Sequence, residues 1–213
     1  MWVEMTASMA MLIALGAFHG INPGMGWLFA VALGVQEGRR GAVLRALLPL
    51  GVGHALAVVG TVGVALAIGF VIPSGALRWP VAGALVMLGV LRLVRHRHPR
   101  WGGMRVSAGG LTLWSFLMAT AHGAGLMVVP VIMGMSMSQA GDHAHHVTSL
   151  TPGPVEALLA TTLHAVGYLA VTAFVAVLVF DKLGVRILRR AWFNVDMVWS
   201  IALVATGALT VAG

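Results

Sequence analysis

The chain has 213 residues, 59% of them hydrophobic and only 9% charged, and its mean hydropathy is +0.95. That balance lies outside the soluble globular range and inside the membrane class. The 13 Lys+Arg against 6 Asp+Glu give a formal net charge of +7, but the basic residues sit in short connectors rather than on a wettable polar and aromatic face, which excludes nucleic acid as a partner. Cysteine is absent, so disulfides, thiolate metal sites and dithiol redox chemistry are excluded, and His and Met are the soft ligands that remain.

Crossing roughly 30 Å of hydrocarbon takes about 20 apolar residues. That length predicts six helices, near residues 7–35, 42–72, 76–94, 109–137, 155–180 and 194–212. The start, "MWVEMTASMA", has an acid and no basic leader region, so it is expected to be a retained helix rather than a signal peptide. The fold class expected is an all-α membrane protein with six transmembrane helices in the cell (cytoplasmic) membrane.

The first span contains "GAFHGINPGMGWLFAV", residues 16 to 31. Pro23 removes an intrahelical hydrogen bond and disfavours helical geometry at Asn22, while Gly20, Gly24 and Gly26 permit a bend or a close helix contact. The freed carbonyls and the Asn22 amide are expected to become ligands for something polar, which makes Asn22, Pro23 and Gly24 candidate pathway residues. The fourth span has a counterpart, "HGAGLMVVP", with two early glycines and a later Pro130.

Basic residues alternate between connectors. Arg39, Arg40 and Arg45 follow span one; Arg92, Arg95, Arg97, Arg100 and Arg105 follow span three; Lys182, Arg186, Arg189 and Arg190 follow span five. The positive-inside rule places these connectors in the cytoplasm and both termini outside. Six of the seven tryptophans, Trp2, Trp79, Trp101, Trp114, Trp192 and Trp199, are expected near the interfaces, with no chemistry assigned to them.

Histidines reveal an internal repeat. Span one has "AFHG" and span four "TAHG"; span two has "VGHALAVVG" and span five "TLHAVGYLA", so His19 corresponds to His122 and His54 to His164. With three spans in each half, residues 1–105 and 106–213 form a 3+3 inverted repeat within one integral membrane domain. Each histidine lies roughly 15–20 Å along its span, near mid-bilayer, where an ionisable group is directed inward to a cavity or partner. Neutral imidazole ligates Zn, Cu, Ni and Co, so His19, His54, His122 and His164 are the candidate metal ligands, with hydrogen bonding between helices as the competing explanation of each ring alone.

Two further features bear on an ion pathway. Glu156 precedes His164 by two helical turns on roughly the same face, placed to relay protons or attract cations. The loop "MGMSMSQAGDHAHH" gathers Met133, Met135, Met137, Asp142, His143, His145 and His146, a thioether and imidazole set suited to an accessory metal site, with lipid-facing or core methionines and a solvated histidine loop as the competing explanation.

Residues 22 to 66, "NPGMGWLFAVALGVQEGRRGAVLRALLPLGVGHALAVVGTVGVAL", resemble the start of the lysine exporter and homoserine/threonine exporter superfamily, where a Pro-Gly motif in the first span precedes a Gly-Arg-Arg turn and a Gly-rich second span. The resemblance implies a 3+3 inverted-repeat efflux fold. Amino-acid exporters of that group usually show Pro-Gly-Pro, whereas this chain has Pro23-Gly24-Met25. The mid-membrane histidines make it nearest in character to the nickel/cobalt and other metal-exporting branches.

The leading expectation is a proton-coupled secondary exporter of a transition-metal ion (Cu, Zn, Ni or Co) held by the four histidines, because proton and metal compete for the same imidazole nitrogen. No GxxxxGK[ST] motif is present to bind ATP. The alternatives are an exporter of amino acids or small organic solutes, binding through Asn22 and broken-helix termini, and a membrane-embedded metalloenzyme or haem protein using the same imidazoles. The expected partners are the lipid bilayer and the transported ion or solute, with a homo-oligomer left open.

Overall fold

A computed structural model describes residues 2–69, 74–94, 107–141, 153–183, 200, 201 and 203–210. These residues are almost entirely helical, without a strand among them. In chain order the elements are α1 (Trp2–Ile21), a 3-10 turn (Pro23–Met25), α2 (Trp27–Glu37), α3 (Arg40–Gly69), α4 (Ser74–Val94), α5 (Ala108–Ala121), α6 (Ala124–Gly141) and α7 (Pro154–Leu178), which runs into a π turn (Val179–Leu183). Residues 200, 201 and 203–210 are helical too.

Two helical stretches, Arg40–Ile68 and Pro154–Lys182, are long and apolar enough to cross a membrane, and the bent pair Ala108–Ala121 and Ala124–Met133 makes a third if it is one span. The window expected for the first span is divided between α1 and α2, whose apolar parts Met5–Ile21 and Trp27–Glu37 are shorter. A 30-residue α3 is about 45 Å long, which exceeds a bilayer core.

The distribution of polarity is inverted relative to a water-soluble protein. Large apolar side chains face outward, among them Leu48, Val155, Phe174 and Leu209, while His19, Asn22, His54, Ser115, His122, Thr161, His164, Thr172 and Ser200 are buried. This pattern fits a surface solvated by lipid and an interior that keeps its polar groups to itself. Hydroxyls of Thr61, Thr112, Thr120, Thr161, Thr162 and Thr210 donate to carbonyls four residues back, which satisfies them where water is absent.

Glycine sets the closest helix contacts. A Cβ added to Gly16 would meet the His164 carbonyl oxygen at 2.0 Å, one on Gly20 the Tyr168 carbonyl at 2.6 Å, and one on Gly167 the Ile13 carbonyl at 2.2 Å. The backbones of α1 and α7 therefore touch, in the small-xxx-small manner of membrane helices. On the other side Gly53 of α3 lies against Thr112 of α5, where a Cβ would meet the Thr112 carbonyl at 2.1 Å, and the Ser115 hydroxyl donates 2.7 Å to the Leu50 carbonyl. Of all helix pairs, α1 with α7 and α3 with α5 are the most extensive.

Both long hydrophobic windows are broken just after a histidine. Asn22 is extended (φ −68°, ψ 122°), Pro23 opens the 3-10 turn, and Gly26 (φ 123°) starts α2 in a conformation closed to other residues. In the second break His122 ends α5 (φ −89°, ψ 0°), Gly123 takes φ 70°, and the axis turns by 55°. The bend thus falls at Gly123, whereas Pro130 sits inside α6.

Replacing Gly16 or Gly167 by Ala is expected to lower unfolding stability in detergent by roughly 1–3 kcal/mol through overpacking. Gly60, around which there is open space, should instead gain about 1 kcal/mol from the same change through helix propensity. Thermal unfolding followed by circular dichroism checks the contrast; equal effects at the three positions would remove the backbone contact as the cause.

Candidate functional site

The contact of α1 with α7 carries His19 and His164 to a ring separation of 5.0 Å at an interplanar angle of 73°. His54 of α3 completes a triangle, 5.7 Å from His19 and 5.3 Å from His164, and lies nearly parallel to the latter at 10°. All three rings are fully buried, as is His122. His122 stands one step away, its Cε1 beside Gly24 together with the Asn22 side-chain oxygen and the Met118 methyl.

Two of the rings are oriented in the same way. Nδ1 of His19 is 2.8 Å from the Leu15 carbonyl and Nδ1 of His122 is 2.7 Å from the Met118 carbonyl. A carbonyl only accepts, so each Nδ1 carries the proton and each neutral ring keeps its lone pair on Nε2, the arrangement that backbone carbonyls impose on metal-binding histidines. Neither nitrogen of His54 has a hydrogen-bond partner. His164 leans toward the Leu12 carbonyl without a hydrogen bond of normal geometry.

Among the described residues, no three His, Asp or Glu side chains present their donor atoms to one point at metal-ligand distances. The stacking explains why. Imidazole lone pairs lie in the ring plane, and the near-parallel planes of His54 and His164 do not direct theirs to a common centre. The rings are neighbours with the right chemistry, and converging on one ion requires them to rotate.

Tyr168, the single tyrosine of the chain, holds the stack. It follows His164 by one helical turn, its ring lies 3.8 Å from that of His54 at 8°, and its hydroxyl donates 2.7 Å to the Met25 carbonyl. Sequence reasoning missed it; the signal was a lone polar aromatic four residues beyond a candidate ligand, on the same face.

The break after His19 differs from its expected role. Its carbonyls are not free ligands: that of Ile21 accepts from the Trp27 indole at 2.9 Å, that of Gly24 from the Trp114 indole at 3.0 Å, and that of Met25 from Tyr168. The Asn22 and Pro23 carbonyls accept from Met25 and Gly26 amides. Burial forces this outcome, because an unpaired carbonyl away from water is costly. Trp114, for which the sequence suggests only an interfacial place, is one of the donors. The Asn22 side-chain oxygen is turned to the Gly24 amide at 2.9 Å, and its buried amide nitrogen has no hydrogen-bond partner.

The remaining candidates lie apart from the triangle. The Glu156 carboxylate accepts from the Gly153 amide at the start of α7, roughly 12 Å along the axis from His164. Glu37 is paired with Arg39 and Arg45, both at 2.6 Å; the Arg39 hydrogen bond is the main cause that holds its carboxyl below the ordinary value. Of the proposed accessory loop, Met133 is buried, Met135 and Met137 belong to α6 with side chains outside the described residues, and Asp142, His143, His145 and His146 lie outside them altogether.

Tyr168→Phe and Trp114→Phe should each cost about 1–3 kcal/mol, the penalty of stranding a buried carbonyl. Tyr168→Leu, which also removes the ring stacked on His54, should cost more than Tyr168→Phe. Chemical unfolding in detergent measures the three; equal stability of Tyr168→Leu and Tyr168→Phe would deny the stack any weight.

Comparison with known proteins finds no matching family model, no similar curated protein and no similar solved structure.

Proposed function

We propose that the chain is a secondary transporter of a transition-metal ion, with His19, His54 and His164 as the ion-binding core and His122 as the fourth ligand on the path. The single observation that carries this reading is the meeting of three buried imidazoles within 5.7 Å of one another in an apolar bundle. Burying such rings together is unfavourable unless their nitrogens find partners; those of His54 and His164 have no hydrogen-bond partner within the described residues, and a shared cation supplies one.

The finer architecture belongs to the same proposal: six spans in the cell membrane, a 3+3 inverted repeat and both termini outside. Its support is the correspondence of the halves. A histidine whose Nδ1 meets the carbonyl four residues back ends α1, and another ends α5. A glycine-assisted break follows each. The pre-break helix of the first half packs on α7, and that of the second half packs on α3. An inverted repeat with broken helices at its centre is a design shared by many alternating-access carriers.

Imidazole ligates only when neutral, so proton and ion compete for the same nitrogens and exchange between them is the natural coupling. Export is the direction implied by the resemblance to the metal-exporting branches. A solute-exporter reading draws less support, since the backbone carbonyls it needs around Pro23 are already taken by tryptophan, tyrosine and amide donors.

Detergent-purified protein is expected to bind a transition-metal ion that a chelator wash removes. Alanine at His19, His54 or His164 should each lower the affinity by about tenfold or more, while a variant lacking His143, His145 and His146 keeps the core site. Elemental analysis before and after washing, with equilibrium competition for the variants, makes the measurement. Unchanged binding in all three core variants sinks the assignment; a non-exchangeable ion together with small-molecule turnover would favour a metalloenzyme.

A further inference from the structure

The charge around the three rings bears on which ion they take. Glu37 is held by Arg39 and Arg45, Asp181 is 3.7 Å from Arg40, and Glu156 is turned to the Gly153 amide. Each of these three carboxylates is at a helix end and engaged there, so among the described side chains no carboxylate stands beside His54 and His164; Glu4, Asp142 and Asp196 lie outside that set. Neutral imidazoles supply lone pairs but cancel no charge. The self-energy of an ion in a low-dielectric interior rises with the square of its charge, so a divalent ion costs about four times as much as a monovalent one of similar size.

The donors are also soft. Met118, 5% exposed, gives its carbonyl to His122 Nδ1, and its methyl, the His122 Cε1 and the Asn22 side-chain oxygen all border the space beside Gly24. Met25, 1% exposed, occupies the same break. Thioether with imidazole selects Cu(I) over the harder divalent ions. The stacked rings of His54 and His164 agree with this, because a closed-shell monovalent ion accepts low coordination and needs fewer convergent donors than tetrahedral Zn(II).

We propose that the ion of this site is soft and monovalent, Cu(I) in its biological form, with Met118 as a thioether ligand beside His122. The assignment rests on the metal-transporter reading above and narrows it. No redox step is involved, since the ion enters and leaves as Cu(I).

The experiment uses the full chain in detergent under an anaerobic reductant. Cu(I) is titrated in competition with a chromogenic Cu(I) chelator, Ag(I) serves as a redox-inert second probe, and Zn(II) and Ni(II) are titrated against a colorimetric divalent chelator. Cu(I) and Ag(I) are expected to bind, with Zn(II) and Ni(II) weaker by about a hundredfold. Met118→Leu, close in volume, should weaken Cu(I) and Ag(I) by about tenfold without changing the helical circular dichroism or the weak Zn(II) isotherm. Zn(II) or Ni(II) binding as tightly as Cu(I) would overturn the monovalent assignment while leaving a metal site in place. Absence of binding by every probe would overturn the metal reading itself. Full Cu(I) and Ag(I) affinity in Met118→Leu would remove the thioether ligand.

Discussion

The bundle depends on the bare backbone contact between α1 and α7. In lipid, apolar side chains gain little by leaving one hydrocarbon for another, so helices associate through close packing. Gly16 and Gly20 on one helix and Gly167 on the other leave no side chain between them. His19 lies between the two glycines of α1, and His164 precedes Gly167 by three residues, so neither can avoid the other once the backbones meet. The second contact repeats the device: Gly53 lets α3 reach Thr112 of α5, and the next residue is His54. Glycine spacing decides where the imidazoles go.

That placement carries a polar cost, which the chain meets almost entirely from within. Six threonine hydroxyls fold back on their own helices, the Ser115 hydroxyl reaches the Leu50 carbonyl of α3, His19 and His122 bond their own helices through Nδ1, and the broken segment at Pro23 is supplied with donors from α2, α5 and α7. A few polar atoms remain unsupplied, notably both nitrogens of His54 and the Asn22 amide nitrogen. In a native interior such exceptions call for an explanation, and these two residues belong to the same small region as the ring cluster.

Much of this is legible in the sequence, and the reasons differ by feature. Helix positions follow from runs of apolar residues: five of the predicted windows cover α1 to α7, although the first and the fourth are each divided into two helices by a break, and of the described stretches only two or three are long and apolar enough to be spans. The four histidines stand out because an ionisable residue amid apolar ones is rare; that three meet depends on glycines whose role appears only when the facing backbone is known. The bend of the second long window is at Gly123 because a left-handed residue turns the chain there, while Pro130 is absorbed inside a helix. Nor does local sequence show that the carbonyls freed by Pro23 are reclaimed, since the donors Trp114 and Tyr168 are 90 and 143 residues away from their acceptors.

Tyr168 joins the two halves of this arrangement mechanically. Its hydroxyl is tied to the break that separates α1 from α2, and its ring is stacked on His54, which in turn stacks on His164. Rotating the imidazoles toward a common ion requires His54 to leave that stack, at a cost of about 0.5–1.5 kcal/mol for an aromatic pair, and swinging α2 about the break requires the hydroxyl to release Met25, about 0.5–1.5 kcal/mol net for the hydrogen bond. These are the contacts that an arrangement with converged imidazoles gives up, and a ligand shifts the balance toward it only by binding it better than the stacked one. On the proposed reading, ion capture and movement of α2 are then two consequences of unseating one side chain, which is the coupling that an alternating-access carrier needs between its site and its gate.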